Sequence, residues 1–150
     1  EDPCPFSVGS ATVLRRGKDA TVVAIGLMVS KALEAARVLE KEGLAVGVID
    51  SASVKPIDRP ALVEAAQESG AIVTAEDHSI VGGLGGAVAE ALMEECPVPL
   101  RRVGIKDVFG KSGSPADLLA AYGLMEVDIA EAVREVVGLK QRVAPRSYTL

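Results

Sequence analysis

Ala71-Ile72-Val73-Thr74-Ala75, then Glu76-Asp77-His78-Ser79-Ile80-Val81-Gly82-Gly83-Leu84-Gly85-Gly86, then Ala87-Val88-Ala89-Glu90, reads as a strand, a glycine-rich loop and a helix in succession. A short apolar run bounded by turn residues is a buried strand, and glycines at its end let a helix start close above it. The same unit recurs on both sides. Apolar strands starting at residues 21, 45, 71 and 100 are spaced 24 to 29 residues apart, which suits a strand, a crossover helix and two loops.

The intervening helices have their own signals. Val29, Ala32, Leu33, Ala36 and Leu39 form one apolar stripe, with Gly43 as a C-terminal stop. Asp58 is placed to cap the next helix, with Pro60 in its first turn. Ser114-Pro115-Ala116-Asp117 starts another, with Leu118, Leu119 and Tyr122 on its apolar face and Gly123 at its end. Ile129, Val133, Val136 and Val137 stripe a last helix, which Gly138 is expected to stop. Upstream, Ala11–Leu14 and Thr21–Ile25 are joined by a polar link containing Gly17, which predicts an antiparallel hairpin. The expected fold is a three-layer α/β/α sandwich whose five-stranded mixed sheet has four parallel strands and one antiparallel edge strand. The expected organisation is a linker over 1–10, a domain over 11–138 and a flexible tail over 139–150; Glu1-Asp2-Pro3-Cys4-Pro5 reads as a segment of something larger.

Composition excludes several function classes. Apolar residues are 49% of the 150 and aromatics only 3%, so the core must be built from Ala, Val, Leu and Ile. A net charge of −5 argues against a phosphate backbone as partner, and the basic doublets Arg15-Arg16 and Arg101-Arg102 are expected inside strands. Cys4 and Cys96 are far apart, with no C-x-x-C or histidine cluster to suggest zinc or redox chemistry. No run of about 20 apolar residues suggests a membrane span. No nucleic acid and no membrane are expected as partners, and a reducing, cytoplasmic compartment is.

In an open parallel sheet, ligands bind beyond the carboxyl ends of the strands. The loop Glu76–Gly86 is the richest there, holding the only histidine, two carboxylates, a serine and four glycines. Its functional reading is an acid–base group beside amides that cradle an anion; its structural reading, which is preferred, is glycines permitting close contact. Gly83-Leu84-Gly85-Gly86-Ala87-Val88 puts Val where a dinucleotide fingerprint needs glycine, and Gly26-Leu27-Met28 lacks the second glycine. The loop after residue 105 offers Lys106 and Lys111 for phosphate recognition, against the preferred reading of a surface turn with a capping serine. Ser112 has no histidine in its sequence neighbourhood and no G-x-S-x-G elbow around it.

Taken in order, these segments resemble a known family. Ile49-Asp50 through Val54-Lys55-Pro56-Ile57-Asp58, the Val73–Glu90 stretch, and Phe109-Gly110-Lys111-Ser112-Gly113-Ser114-Pro115 with Leu118-Leu119 and Tyr122-Gly123-Leu124 are similar to transketolase C-terminal domains, over about residues 6–138. Asp77-His78 and the Phe-Gly-x-Ser-Gly run lean toward transketolase rather than deoxyxylulose phosphate synthase or 2-oxo-acid dehydrogenase beta subunits; the nearest likeness is to split transketolases whose C-terminal section is a separate polypeptide. The resemblance implies a parent enzyme of the pentose phosphate pathway, transferring a two-carbon ketol unit between sugar phosphates with thiamine diphosphate and Mg. It places the chemistry in N-terminal thiamine diphosphate-binding domains or a separate subunit, across the interface of a homodimer. No Gly-Asp-Gly segment with a downstream asparagine is present to hold metal and diphosphate, and the activating glutamate belongs to an upstream domain. No catalytic, cofactor-binding or metal-binding residue is therefore carried over. Asp77, His78, Gly82, Gly83, Gly85, Gly86, Ser112 and Gly113 are candidates for an interface or active-site rim, and the chain is expected to be a non-catalytic assembly domain, inactive alone. The alternatives are a small-molecule-binding regulatory module or the C-terminal domain of one of the related thiamine enzymes.

Overall fold

A computed structural model describes residues 7–143; residues 1–6, with Cys4, and 144–150 lie outside the described residues. The chain runs β1 (Ala11–Arg15), β2 (Ala20–Ala24), α1 (Met28–Lys41), β3 (Val46–Ser51), α2 (Arg59–Ser69), β4 (Ile72–Ser79), α3 (Leu84–Met93), β5 (Leu100–Ile105), α4 (Pro115–Ala121) and α5 (Glu126–Val143). The five strands form one sheet in the order β1-β3-β2-β4-β5, as the α/β reading requires. β2, β3, β4 and β5 are parallel, and β1 is the antiparallel edge.

Alternation along the strands feeds two cores. Val22, Ala24, Val46, Val48, Val73 and Ala75 face α1 and α5, whereas Val23, Ile49 and Ile72 face α2 and α3. β2 is buried along its whole length, as expected of a central parallel strand covered on both faces. Small side chains on the helices, such as Ala32, Ala35 and Ala36 of α1, let them lie close to the sheet. Asp58 caps α2 by accepting from the Ala61 amide at 3.1 Å, and Ser114 caps α4 by accepting from Asp117 at 3.2 Å. Both caps are where the sequence places them. The Lys55–Pro56 bond preceding α2 is cis.

Two expectations are corrected. β1 and β2 do not form a hairpin: β3 lies between them, pairing antiparallel with β1 and parallel with β2. The Arg16–Asp19 link therefore crosses over the start of β3, where Asp19 N–H donates to Ala45 O at 3.0 Å and Asp19 Oδ2 accepts from Ala45 N at 2.7 Å. The last helix also does not stop at Gly138 but runs on to Val143. A glycine inside a helix costs about 1 kcal/mol relative to alanine. Beyond it, Lys140 Nζ donates to Ser69 O at 2.6 Å, Lys18 O at 3.2 Å and Asp19 O at 3.3 Å. These bonds place a cation at the carboxyl end of α2, where the helix dipole favours it. Lys140→Met, which keeps the stem and removes the donors, should lower stability by about 1–2 kcal/mol in urea unfolding. A change within a few tenths would show that these bonds do not hold the helix end.

Candidate loop at the carboxyl end of the sheet

Chain direction changes sides at β2: the α1 crossover leads to β3 on one side of it, and the α2 crossover leads to β4 on the other. The switch point therefore lies beyond β2 and β4, where an α/β domain ordinarily takes its ligand. The loop 80–83 is there.

β4 extends further than its apolar run, through Glu76, Asp77 and His78 to Ser79. Its pairing with β5 shifts register between Ala75 and Ser79, and Gly104 of β5 makes room for that irregularity. A Cβ at Gly104 would lie 2.7 Å from Ile80 and 3.1 Å from the His78 carbonyl.

Glu76 is 1% exposed, and its carboxylate sits at the amino end of α3. Oε2 accepts from Leu84 N–H at 2.7 Å and Oε1 from Gly85 N–H at 2.9 Å. The N-cap position of α3 is Gly83, with no side chain to cap the helix, so Glu76 reaches across from the strand to do it. The first amides of a helix carry partial positive charge and favour an anion; here the protein provides one internally.

The four glycines have different tasks. Gly82 has φ of +75°, which a side chain rarely adopts. A Cβ on Gly83 would overlap the Glu76 carboxylate, and one on Gly85 would come within 2.6 Å of Arg102 and 2.9 Å of Thr74 Oγ1. Gly86 has open space above it. It borders a surface groove with Lys55, Arg59 and Glu90.

His78 is largely exposed, and its Nε2 lies 3.6 Å from Asp77 Oδ1, beyond good hydrogen-bonding distance. Ser79 Oγ accepts from Val81 N–H at 3.2 Å. Burial pushes the Asp50 carboxyl, at the end of β3, above its ordinary range. The other candidate loop leaves the neighbouring strand: Ile80 N–H donates to Ile105 O at 3.0 Å, tying the two loops together at their roots. In that second loop Ser112 and Gly113 are exposed. The capping serine is Ser114, whose Oγ also lies 2.6 Å from Asp117 Oδ2.

These residues do not fit thiamine diphosphate. The α3 amides that would cradle a diphosphate are held by Glu76, whose own charge repels a second anion. At the start of α1, Met28 N–H donates to Ile25 O at 3.3 Å and Val29 N–H to Gly26 O at 3.1 Å, which uses the first two amides of the other helix at the switch point. Among the described residues, no group of three or more His, Cys, Asp or Glu is placed to hold a metal ion. No described helix is long and apolar enough to cross a membrane. The role of Glu76 was not read from the sequence. Its signal was an acid eight residues before the first residue of a helix that lacks a capping side chain.

Fold and site together define a three-layer α/β domain whose switch-point helix is capped from within. The chain belongs to the transketolase C-terminal domain family, whose model matches residues 9–129. It is 46% identical, over 90% of its length, to the 6-deoxy-6-sulfo-D-fructose transketolase subunit SqwH of Clostridium sp. (strain MSTE9), of which it covers 42%. It is 40% identical, again over 90%, to a putative transketolase C-terminal section from Methanocaldococcus jannaschii, covering 42% of that protein. Among solved structures, a split gene transketolase described as an inactive beta4 tetramer matches at 54% identity with a TM-score of 0.90, over 93% of this chain and 46% of that one. A transketolase from Campylobacter jejuni, at 22% identity and a TM-score of 0.65, shares the fold over 90% of this chain and 20% of its own. The chain thus spans less than half the length of the curated relatives it matches.

Proposed function

We propose that this chain is the non-catalytic C-terminal assembly domain of a transketolase-type thiamine diphosphate enzyme. The observation that carries the reading is the α3 amino end, filled by the protein's own Glu76 carboxylate. Asp77, His78, the glycines and Ser112-Gly113 then belong to an interface or rim, and the cofactor and Mg are held by the preceding domains or a separate subunit, in a dimer of the parent enzyme.

The parent reaction is two-carbon ketol transfer between sugar phosphates. Substrate choice belongs to the rest of that enzyme. Relatives matching over the same stretch carry names as different as a sulfo-fructose transketolase subunit and, at 42% identity, the 1-deoxy-D-xylulose-5-phosphate synthase of Heliobacterium modesticaldum.

The test is a ketol-transfer assay with this chain alone and with the preceding domains added, beside a calorimetric titration with thiamine diphosphate and Mg. The expected result is no turnover and no cofactor binding by the chain alone, with turnover in the combined sample. Turnover or tight cofactor binding by the chain alone would overturn the reading.

A further inference from the structure

We propose that the open edge of β5 is a self-association surface, on which a second copy of this chain adds its own β5 antiparallel across a two-fold axis. The proposal goes beyond the assembly reading above, since it needs no other polypeptide. β5 is the last strand in the sheet order, with β4 on one side and no strand on the other among the described residues. Ile72 N–H donates to Pro99 O and Ile80 N–H to Ile105 O, both at 3.0 Å, so the odd-numbered residues of this strand address β4. Alternation then turns the N–H and C=O of Arg102 and Gly104 to the open side. Such a row of unpaired backbone groups is a template for another strand. β1, at the far edge, is blunted instead: its pairing with β3 jumps from Val13 to Arg15, leaving Leu14 as an extra residue that bends the strand.

Charge identifies the occupant. A groove of about 250 Å³ runs between the β5 edge and α5, with Arg101, Arg102 and Lys106 on one wall and Asp128, Glu131 and Glu135 on the other. α5 runs against β5, since Glu126 pairs with Lys31 at the start of α1 and Lys140 reaches Ser69 at the opposite end of the sheet. Glu135 therefore lies at the start of β5, where it meets Arg101 Nε at 3.0 Å, and Glu131 lies nearer its end. Lys106 and Glu131 are exposed and form no salt bridge among the described residues. A two-fold axis exchanges the two ends of the groove. One copy's Arg101 then meets the partner's Glu131, and its Lys106 meets the partner's Glu135.

The register follows from the same charges, because like charges directly opposite each other are destabilising. Pairings centred on Arg101 or Arg102 set an arginine against itself, and one centred on Gly104 sets Arg102 against the partner's Lys106. Centred on Val103, the pairing sets Val103 against the partner's Val103 and Arg102 against the partner's Gly104. Each Arg102–Gly104 pair then exchanges both of its backbone hydrogen bonds. The groove is complementary to itself in this register and needs no foreign strand.

Sedimentation velocity of the 150-residue chain, over a concentration series reaching about 1 mM, tests this together with amide hydrogen exchange. The expected result is a monomer–dimer equilibrium. Exchange at the Arg102 and Gly104 amides should slow about tenfold or more at the highest concentration, with exchange along β1 unchanged. Glu131→Arg, a change on an exposed side chain, should weaken dimerisation about tenfold by setting a cation against the partner's Arg101. The same reversal at Glu90, exposed on α3, should leave dimerisation unchanged. A chain that stays monomeric throughout the series would overturn the proposal. So would a dimer insensitive to Glu131→Arg, or one in which Arg102 and Gly104 exchange as in the monomer, since the contact is then on another face. None of these results touches the assembly reading, which stands or falls on turnover and cofactor binding by the chain alone.

Discussion

Glu76→Ala should lower the unfolding free energy by about 3 kcal/mol, because it leaves two buried amides at the α3 start without acceptors. Removing one partner of a buried hydrogen bond costs about 1–3 kcal/mol through the unsatisfied group that remains. Here both Leu84 N–H and Gly85 N–H lose an acceptor at once. The helix dipole loses its counter-charge as well. In a domain of this size the loss corresponds to a melting point lower by about 6–12 °C. Glu76→Gln should fall between, since one amide keeps a carbonyl acceptor while the other faces an NH2 group. Thermal and urea unfolding of the two variants would check the order. If Glu76→Ala loses less than about 1 kcal/mol, water or a shifted loop is capping the helix, and the argument that its start is occupied from within fails.

Gly17→Ala should be as damaging or worse, although the change is a single methyl group. Gly17 is buried, and its added Cβ would overlap the Gly47 amide nitrogen and the Val46 carbonyl carbon and lie 2.6 Å from Ala45 O. All three are backbone atoms of β3 and its approach, so no side-chain rotation relieves the overlap. Relief requires moving the link away from β3 or β3 out of register, and overpacking of this kind costs about 1–3 kcal/mol or more. We expect about 3 kcal/mol or a failure to accumulate folded protein, read by urea unfolding and by yield after heating. A variant as stable as the parent would mean that the link crosses β3 at a greater height than described.

That glycine also shows where sequence reading succeeds and where it stops. The βα period was legible because each parallel strand is a short apolar run and each helix has a local stripe and cap, such as Asp58 or Ser114. The partner of β1 was not legible. A glycine in a polar link suits a tight turn, but the same residue suits a link that must pass close over another strand. Which applies depends on β3, some thirty residues further on, and no local pattern encodes that insertion. Gly138 misleads in the same way. Its stop signal is local, while the Lys140 bonds that continue α5 reach back to Ser69, Lys18 and Asp19.

The candidate loop was legible as a place and not as a mechanism. Its composition marked the segment from Glu76 to Gly86, and the structure keeps all of it at the switch point. What the letters did not contain is the division of labour within it. Glu76 turns inward to the helix and His78 outward to solvent, although residues two apart on a regular strand share a face, because both lie inside the irregular stretch between Ala75 and Ser79. Gly83 and Gly85 look alike in sequence, yet one clears a carboxylate and the other clears Arg102 and Thr74. Phe109, outside the residues singled out for the site, is notable only once its 97% exposure is known.

The reversed direction of β1 has a consequence for how firmly such a domain must hold its neighbour. Because β1 runs against the other strands, a covalent tether from any preceding domain would reach this one at the carboxyl end of the sheet, beside the loops after β2, β4 and β5. A short tether keeps the two surfaces at an effective concentration on the order of millimolar. An attached domain can therefore stay seated through a contact that would dissociate between separate molecules at cellular concentrations. A domain severed at that tether keeps its shape but loses this local concentration, and its face must then be sticky enough to find a partner by diffusion.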